Sequence, residues 1–196
     1  MSATSTPPAP SSSLERLRAL LLDEGGLMAS LVDPAGAGPQ APAGEDHGPQ
    51  SPAQLAASGP RAEGAREDYE LLMEAIYEGY LLHYGTPRVA RTSEADLSLL
   101  AGDRLYALGL ARLVALGDTA AVAELADTIT LSALAHAANK PELAGAVWAA
   151  GARAVGWGSS EAHRRAKDLA LAGAPEAIEA MRTSYGGPPT RAPASP

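Results

Sequence analysis

TSEADLSLLAGDRLYALGLARLVAL, residues 92–116, is the stretch that settles the fold class. Thr92 or Ser93 can start a helix, Gly117 can close it, and no proline interrupts the run between them. Leu97, Leu100, Leu105, Leu108, Leu110, Leu113 and Val114 then point in every direction around a helical axis. A helix that is apolar all round is normally central and buried, so other helices are expected to surround this one.

Its neighbours read the same way. Residues 65–84 put Tyr69, Leu72, Met73, Ile76, Tyr80 and Tyr84 on one stripe, with Tyr77 at its edge and Glu70, Glu74 and Glu78 away from it. Gly85 and Thr86-Pro87 stop that helix. Downstream, Asp118 or Thr119 caps a third helix running to about Ala138, with Val122, Leu125, Ala126, Ile129 and Ala133 on its core face. Pro141-Glu142 opens a fourth, where proline at N1 is harmless and glutamate suits the dipole; Gly156 to Gly158 end it. Ser159 or Ser160 starts a fifth, and Pro175-Glu176 a short sixth. The expectation is an all-α fold, a small alanine-rich bundle of about five to six helices over residues 65–185.

Proline marks what lies outside it: 13 of the 16 prolines fall beyond residues 65–185. Residues 34–64 hold six prolines and six glycines, with Leu55 as the one large aliphatic side chain, too little to offset the entropy of ordering. They are predicted to be a disordered linker, and residues 1–11 and 186–196 disordered ends. Residues 12–33 form an isolated amphipathic helix: Ser12 and Glu15 have capping-box spacing, and Leu14, Leu17 and Leu21 share a face that Gly25-Gly26 then breaks. A lone helix this short is marginal in water, so that face needs a partner surface, on its own domain or on another protein.

Composition excludes whole classes of function. The chain has 196 residues and no cysteine, which removes disulfides, thiolate catalysis and cysteine-type metal sites. A net charge of −8 argues against nucleic acid as a partner. The longest uncharged run of the folded part, 128–139, is too short for a transmembrane segment, and residues 1–10 lack the features of a signal peptide. The location expected is cytoplasmic. Alanine, at 43 residues, makes up nearly half of the 46% counted as hydrophobic, so the core should be thin and closely packed.

Motifs for chemistry are scarce. No HExxH, P-loop, GxSxG or paired ExxH pattern occurs, so no catalytic residues, metal ligands or cofactor are assigned. His136 lies on the apolar face of the third helix, read first as a core-edge imidazole bonded to a backbone carbonyl. Arg104 and Arg112 flank Leu108 on one face and either pair with acids such as Glu124 or Asp127 or clamp an anion. Tyr80, Arg104, Arg112 and His136 are the candidate ligand-binding residues; Leu14, Leu17 and Leu21 are the candidate partner-docking residues. Arg164, Arg165 and Lys167 read as a solvated basic face, and Trp148 and Trp157 as packing anchors, with Trp157 equally open to an interface role.

The run Leu99-Leu100-Ala101-Gly102-Asp103-Arg104-Leu105, continued through about residue 138, resembles the Leu-Ala-Gly-Asp-x-Leu helix and its successor in trans-isoprenyl diphosphate synthases, closest to their small non-catalytic subunits. The DDxxD motifs that hold magnesium in that family are absent, and only Asp103 carries over, in a structural role. The resemblance implies a partner or regulatory subunit. Three functions are therefore expected: a non-catalytic helical interaction protein, with a protein partner or as a homo-oligomer; an adaptor docking through its N-terminal helix; or a binding domain or enzyme that takes a small anionic ligand.

Overall fold

The computed structural model describes residues 12–32 and 50–186. Among them, helices account for nearly all regular structure, and the fold is an all-α bundle. The first helix, α1 (Ser13–Glu24), opens with the expected box: the Ser12 hydroxyl accepts from the Glu15 N–H at 3.2 Å and the Glu15 carboxylate from the Ser12 N–H at 2.7 Å. Gly25, at φ 69°, closes it before the short α2 (Gly26–Ser30).

The predicted linker needs correcting. Residues 33–49 lie outside the described residues, but α3 (Pro52–Ala57) and a 3-10 turn (Pro60–Ala62) fall inside its span and are packed into the bundle. Ser51 and Gln54 form a second capping box around Pro52 at N1. Ala53, Ala56, Ala57 and Ala62 are buried. Large side chains are dispensable here because the backbones themselves touch: a Cβ on Gly59 would lie 2.2 Å from the Gly156 carbonyl oxygen.

The remaining helices start and stop close to the sequence signals. They are α4 (Arg66–Tyr84), α5 (Ala95–Ala115), α6 (Thr119–Ala137), α7 (Pro141–Trp157), α8 (Glu161–Leu171) and α9 (Ala177–Ser184). The Asp118 carboxylate caps α6 through the Ala121 N–H at 3.0 Å, and the Ser160 hydroxyl caps α8 through the His163 N–H at 3.0 Å. Close helix pairs, α4 on α5 and α6 on α7, are bridged by α3, while α8 and α9 cover the other side of α6 and α7.

The central helix is α4 rather than α5. Leu72, Met73, Ala75 and Ile76 are fully buried, and α1, α3 and α5 all pack against α4. On α5 the buried stripe is Ala101, Gly102, Leu105, Gly109 and Leu113, whereas Leu99, Leu100, Val114 and Leu116 are exposed. Gly102 and Gly109 on the stripe let α5 approach α4 closely, and the large residues off the stripe are left outside.

The isolated helix is docked on the bundle. Leu17 and Leu21 are fully buried beside Ala75, Leu82, Ala101 and Leu105, with Leu14 partly buried at the edge. The Ser13 hydroxyl donates to Glu74 at 3.1 Å, Arg16 pairs with Glu70 at 2.6 Å, and Glu24 pairs with Arg104 at 2.6 Å. Val32 bridges Ala90, and the Arg91 N–H donates to the Leu31 carbonyl at 2.7 Å. Burying two leucines is worth about 1.5–3 kcal/mol each before ordering costs, which is what a marginal helix requires.

Two of the three glutamates read as outward are also buried. Glu78 is fully buried; one of its oxygens accepts from the N–H groups of Arg88, Val89 and Ala90 at 2.7, 2.6 and 3.1 Å. The Arg88 guanidinium reaches Glu78 at 3.2 Å and Glu74 at 2.6 Å. These carboxylates stay inside because the segment after α4 folds back to satisfy them.

Candidate functional site

Tyrosines spaced three and four apart on α4 turn their rings toward α6 and α7. Tyr77 and Tyr80 stack at 5.5 Å, and both pack on the fully buried Trp148 at 5.0 Å. One turn on, Tyr84 is 42% exposed, and the His136 imidazole lies flat on it at 4.3 Å and 2°. The Tyr80 hydroxyl and His136 Nε2 are hydrogen-bonded at 2.9 Å. His136 therefore has a tyrosine hydroxyl as a partner.

On the α5 side, the His83 ring stacks on Tyr106 at 5.3 Å and 4°. Its Nε2 lies 3.3 Å from an Asp103 carboxylate oxygen, outside hydrogen-bond geometry. Burial, then the phenols of Tyr84 and Tyr80 and the Asp103 carboxylate, push the Tyr106 hydroxyl up, so it stays protonated. The result is a line of aromatic and imidazole rings from the core to the surface at the end of α4. It can stack on a planar or apolar group and donate hydrogen bonds through phenols. Among the described residues, no group of three His, Asp or Glu side chains is placed to hold a metal ion.

The four predicted ligand residues do not assemble into one clamp. Tyr80 and His136 meet. Arg104 is drawn to Glu24 at the end of α1, and Arg112 is half-buried on the same flank of α5 with no ion pair among the described residues. Glu124 and Asp127, offered as partners for these arginines, bind Lys167 instead, at 3.0 and 2.7 Å. That also corrects the solvated basic face: Lys167 is mostly buried between two acids, while Arg164 pairs with Glu161 at the surface. Burial alone would raise the Glu124 carboxyl, but hydrogen bonds from His163 and Lys167 hold it down at about 2. Leu17 and Leu21, predicted to dock a partner, are spent on the chain's own core.

Sequence reasoning missed His83 and Tyr106, which stack across two helices. Their signal was faint. Gly102 is the residue that admits the His83 ring, since a Cβ there would lie 2.5 Å from it. Asp103, the residue carried over from the synthase-like segment, is exposed beside that ring.

No family model, curated protein or solved structure matches the chain. No helix among the described residues is long and apolar enough to cross a membrane.

Proposed function

We propose that the chain is a helical interaction protein and that the outer face of α5 pairs with α5 of a second copy. One observation carries this reading: Leu100, Ala107 and Val114 are exposed at heptad spacing on a helix whose opposite stripe is buried against α4. A surface helix normally presents charge there, and a seam of this period matches a second helix. The pattern is symmetric about Ala107, seven residues from Leu100 and from Val114. Two copies of α5, antiparallel about a two-fold axis at Ala107, would set Leu100 of each against Val114 of the other. Ala107 and Ala111 at the crossing let the backbones approach.

Light scattering coupled to size exclusion tests this. The wild type should run as a dimer, and Leu100→Glu with Val114→Glu should give a folded monomer. A monomeric wild type at high micromolar concentration, or a double variant that remains dimeric, would overturn it. A monomer would turn attention to a different protein as the occupant of α5. The synthase-like segment makes a catalytic isoprenyl diphosphate synthase subunit the first to try.

A further inference from the structure

Where α8 packs on α6, side chains from three helices follow one another in contact. Glu124 of α6 has a carboxylate oxygen 3.2 Å from His163 Nε2 on α8, and His163 Nδ1 is 3.5 Å from the Ser184 hydroxyl at the end of α9. Ser184 and His163 both line a cavity of about 240 Å³, whose wall also includes Arg153, Trp157, Gly158 and Ser160. The interaction reading uses none of these residues. We propose that this cavity is an acyl-ester hydrolase site in which Ser184 is the nucleophile, His163 the general base and Glu124 the residue that positions the imidazole.

The roles follow from donors and acceptors. Glu124 is ionised and accepts only, so in the base form of the His163 imidazole the hydrogen sits on Nε2, facing the carboxylate. That leaves the Nδ1 lone pair facing Ser184. At rest the Ser184 hydroxyl donates to the Met181 carbonyl at 2.7 Å, and rotation about its C–O bond turns the hydrogen to His163. A gap of 3.5 Å is long for a hydrogen bond, but nucleophile–base contacts of this kind tighten once substrate is bound. His163 itself is 4% exposed, which keeps bulk water off the base.

In the first step Ser184 Oγ bonds to the ester carbonyl carbon as its proton passes to His163 Nδ1. The carbon–oxygen bond to the alcohol then breaks, and the leaving oxygen takes that proton. Water repeats the sequence on the acyl-serine, releasing the acid and restoring the hydroxyl. The N-terminal end of a helix favours negative charge, and α8 begins in the cavity wall at Ser160. The substrate class follows from the wall. At about 240 Å³ the cavity falls below the usual range for drug-sized ligands, so the acyl group is short. Arg153, seated over the Trp157 ring at 4.3 Å, is a wall cation with no carboxylate beside it among the lining residues. It fits an ester whose far end is anionic.

The test uses the full chain, a fluorophosphonate probe and two esters, 4-nitrophenyl acetate and the anionic 4-nitrophenyl hemisuccinate. The probe should label Ser184 by peptide mapping, and Ser184→Ala should lose both labelling and turnover while keeping the wild-type melting temperature. Glu124→Gln should lower kcat by about a hundredfold or more with KM little changed, a split that a merely structural role would not produce. Arg153→Gln should raise KM about tenfold for the hemisuccinate and leave the acetate unaffected. His163 is buried and its variants risk misfolding, so Ser184→Ala is the deciding variant. No labelling of the wild type, or undiminished turnover by Ser184→Ala, would overturn the assignment.

Discussion

Arg88 shows how one residue decides the fate of two others. It is the counter-ion of Glu74 and Glu78, which helical periodicity alone assigns to the solvent side of α4. Periodicity places side chains by angle and cannot know that a segment ten residues further on returns a guanidinium and three N–H groups. Replacing Arg88 by Met leaves both carboxylates buried without a counter-ion, at a cost of about 3–5 kcal/mol in denaturant unfolding. If stability is unchanged, the cluster is not the anchor of the segment after α4. Glu124 makes a second residue-level prediction. Folding lowers its carboxyl from 4.5 to about 2, so the unfolded chain takes up the proton first as the pH falls. The associated stability is fully present above about pH 4.5 and is lost between there and about pH 2. Glu124→Gln should be less stable at pH 7 and lose less on acidification through that window; parallel acid-unfolding curves would contradict this.

At the scale of elements, the caps are legible in the sequence and the faces are less so. Ser12, Asp118, Pro141 and Ser160 each begin the helix their chemistry announces, because a cap is a local hydrogen-bonding problem solved within four residues. Counting large aliphatics hides the α3 segment: its alanines are buried by backbone approach at Gly59 and Gly156, which needs no bulk. The same counting puts α5 at the centre, although only a narrow stripe of two glycines, an alanine and two leucines is buried. The N-terminal helix shows what docking is worth. Leu17→Ala removes a fully buried side chain and should cost about 2–5 kcal/mol, read as a lower urea midpoint. Were α1 held elsewhere, the midpoint would stay put.

Across the whole molecule, three contiguous apolar clusters among the described residues hold the bundle together: one under α1 and α2, one around Trp148, and one between α6, α7, α8 and α9. If α5 pairs two copies, the melting temperature should rise with protein concentration, and that slope should vanish in the Leu100→Glu, Val114→Glu variant. Of the candidate ligand site, only the meeting of Tyr80 with His136 follows from the reading of the chain, since both fall on inward faces. Glu124, His163 and Ser184 form no motif because they are 39 and 21 residues apart and come from three helices. Helical class, helix limits and the absence of cysteine chemistry are properties of short windows and of composition, so the amino-acid order alone sets them. Which helix is central, where α1 goes, which acids are buried and which residues face the cavity depend on contacts between distant segments. Such contacts are settled by the close approach of small residues and the pairing of buried charges, both of which exist only once the chain has folded.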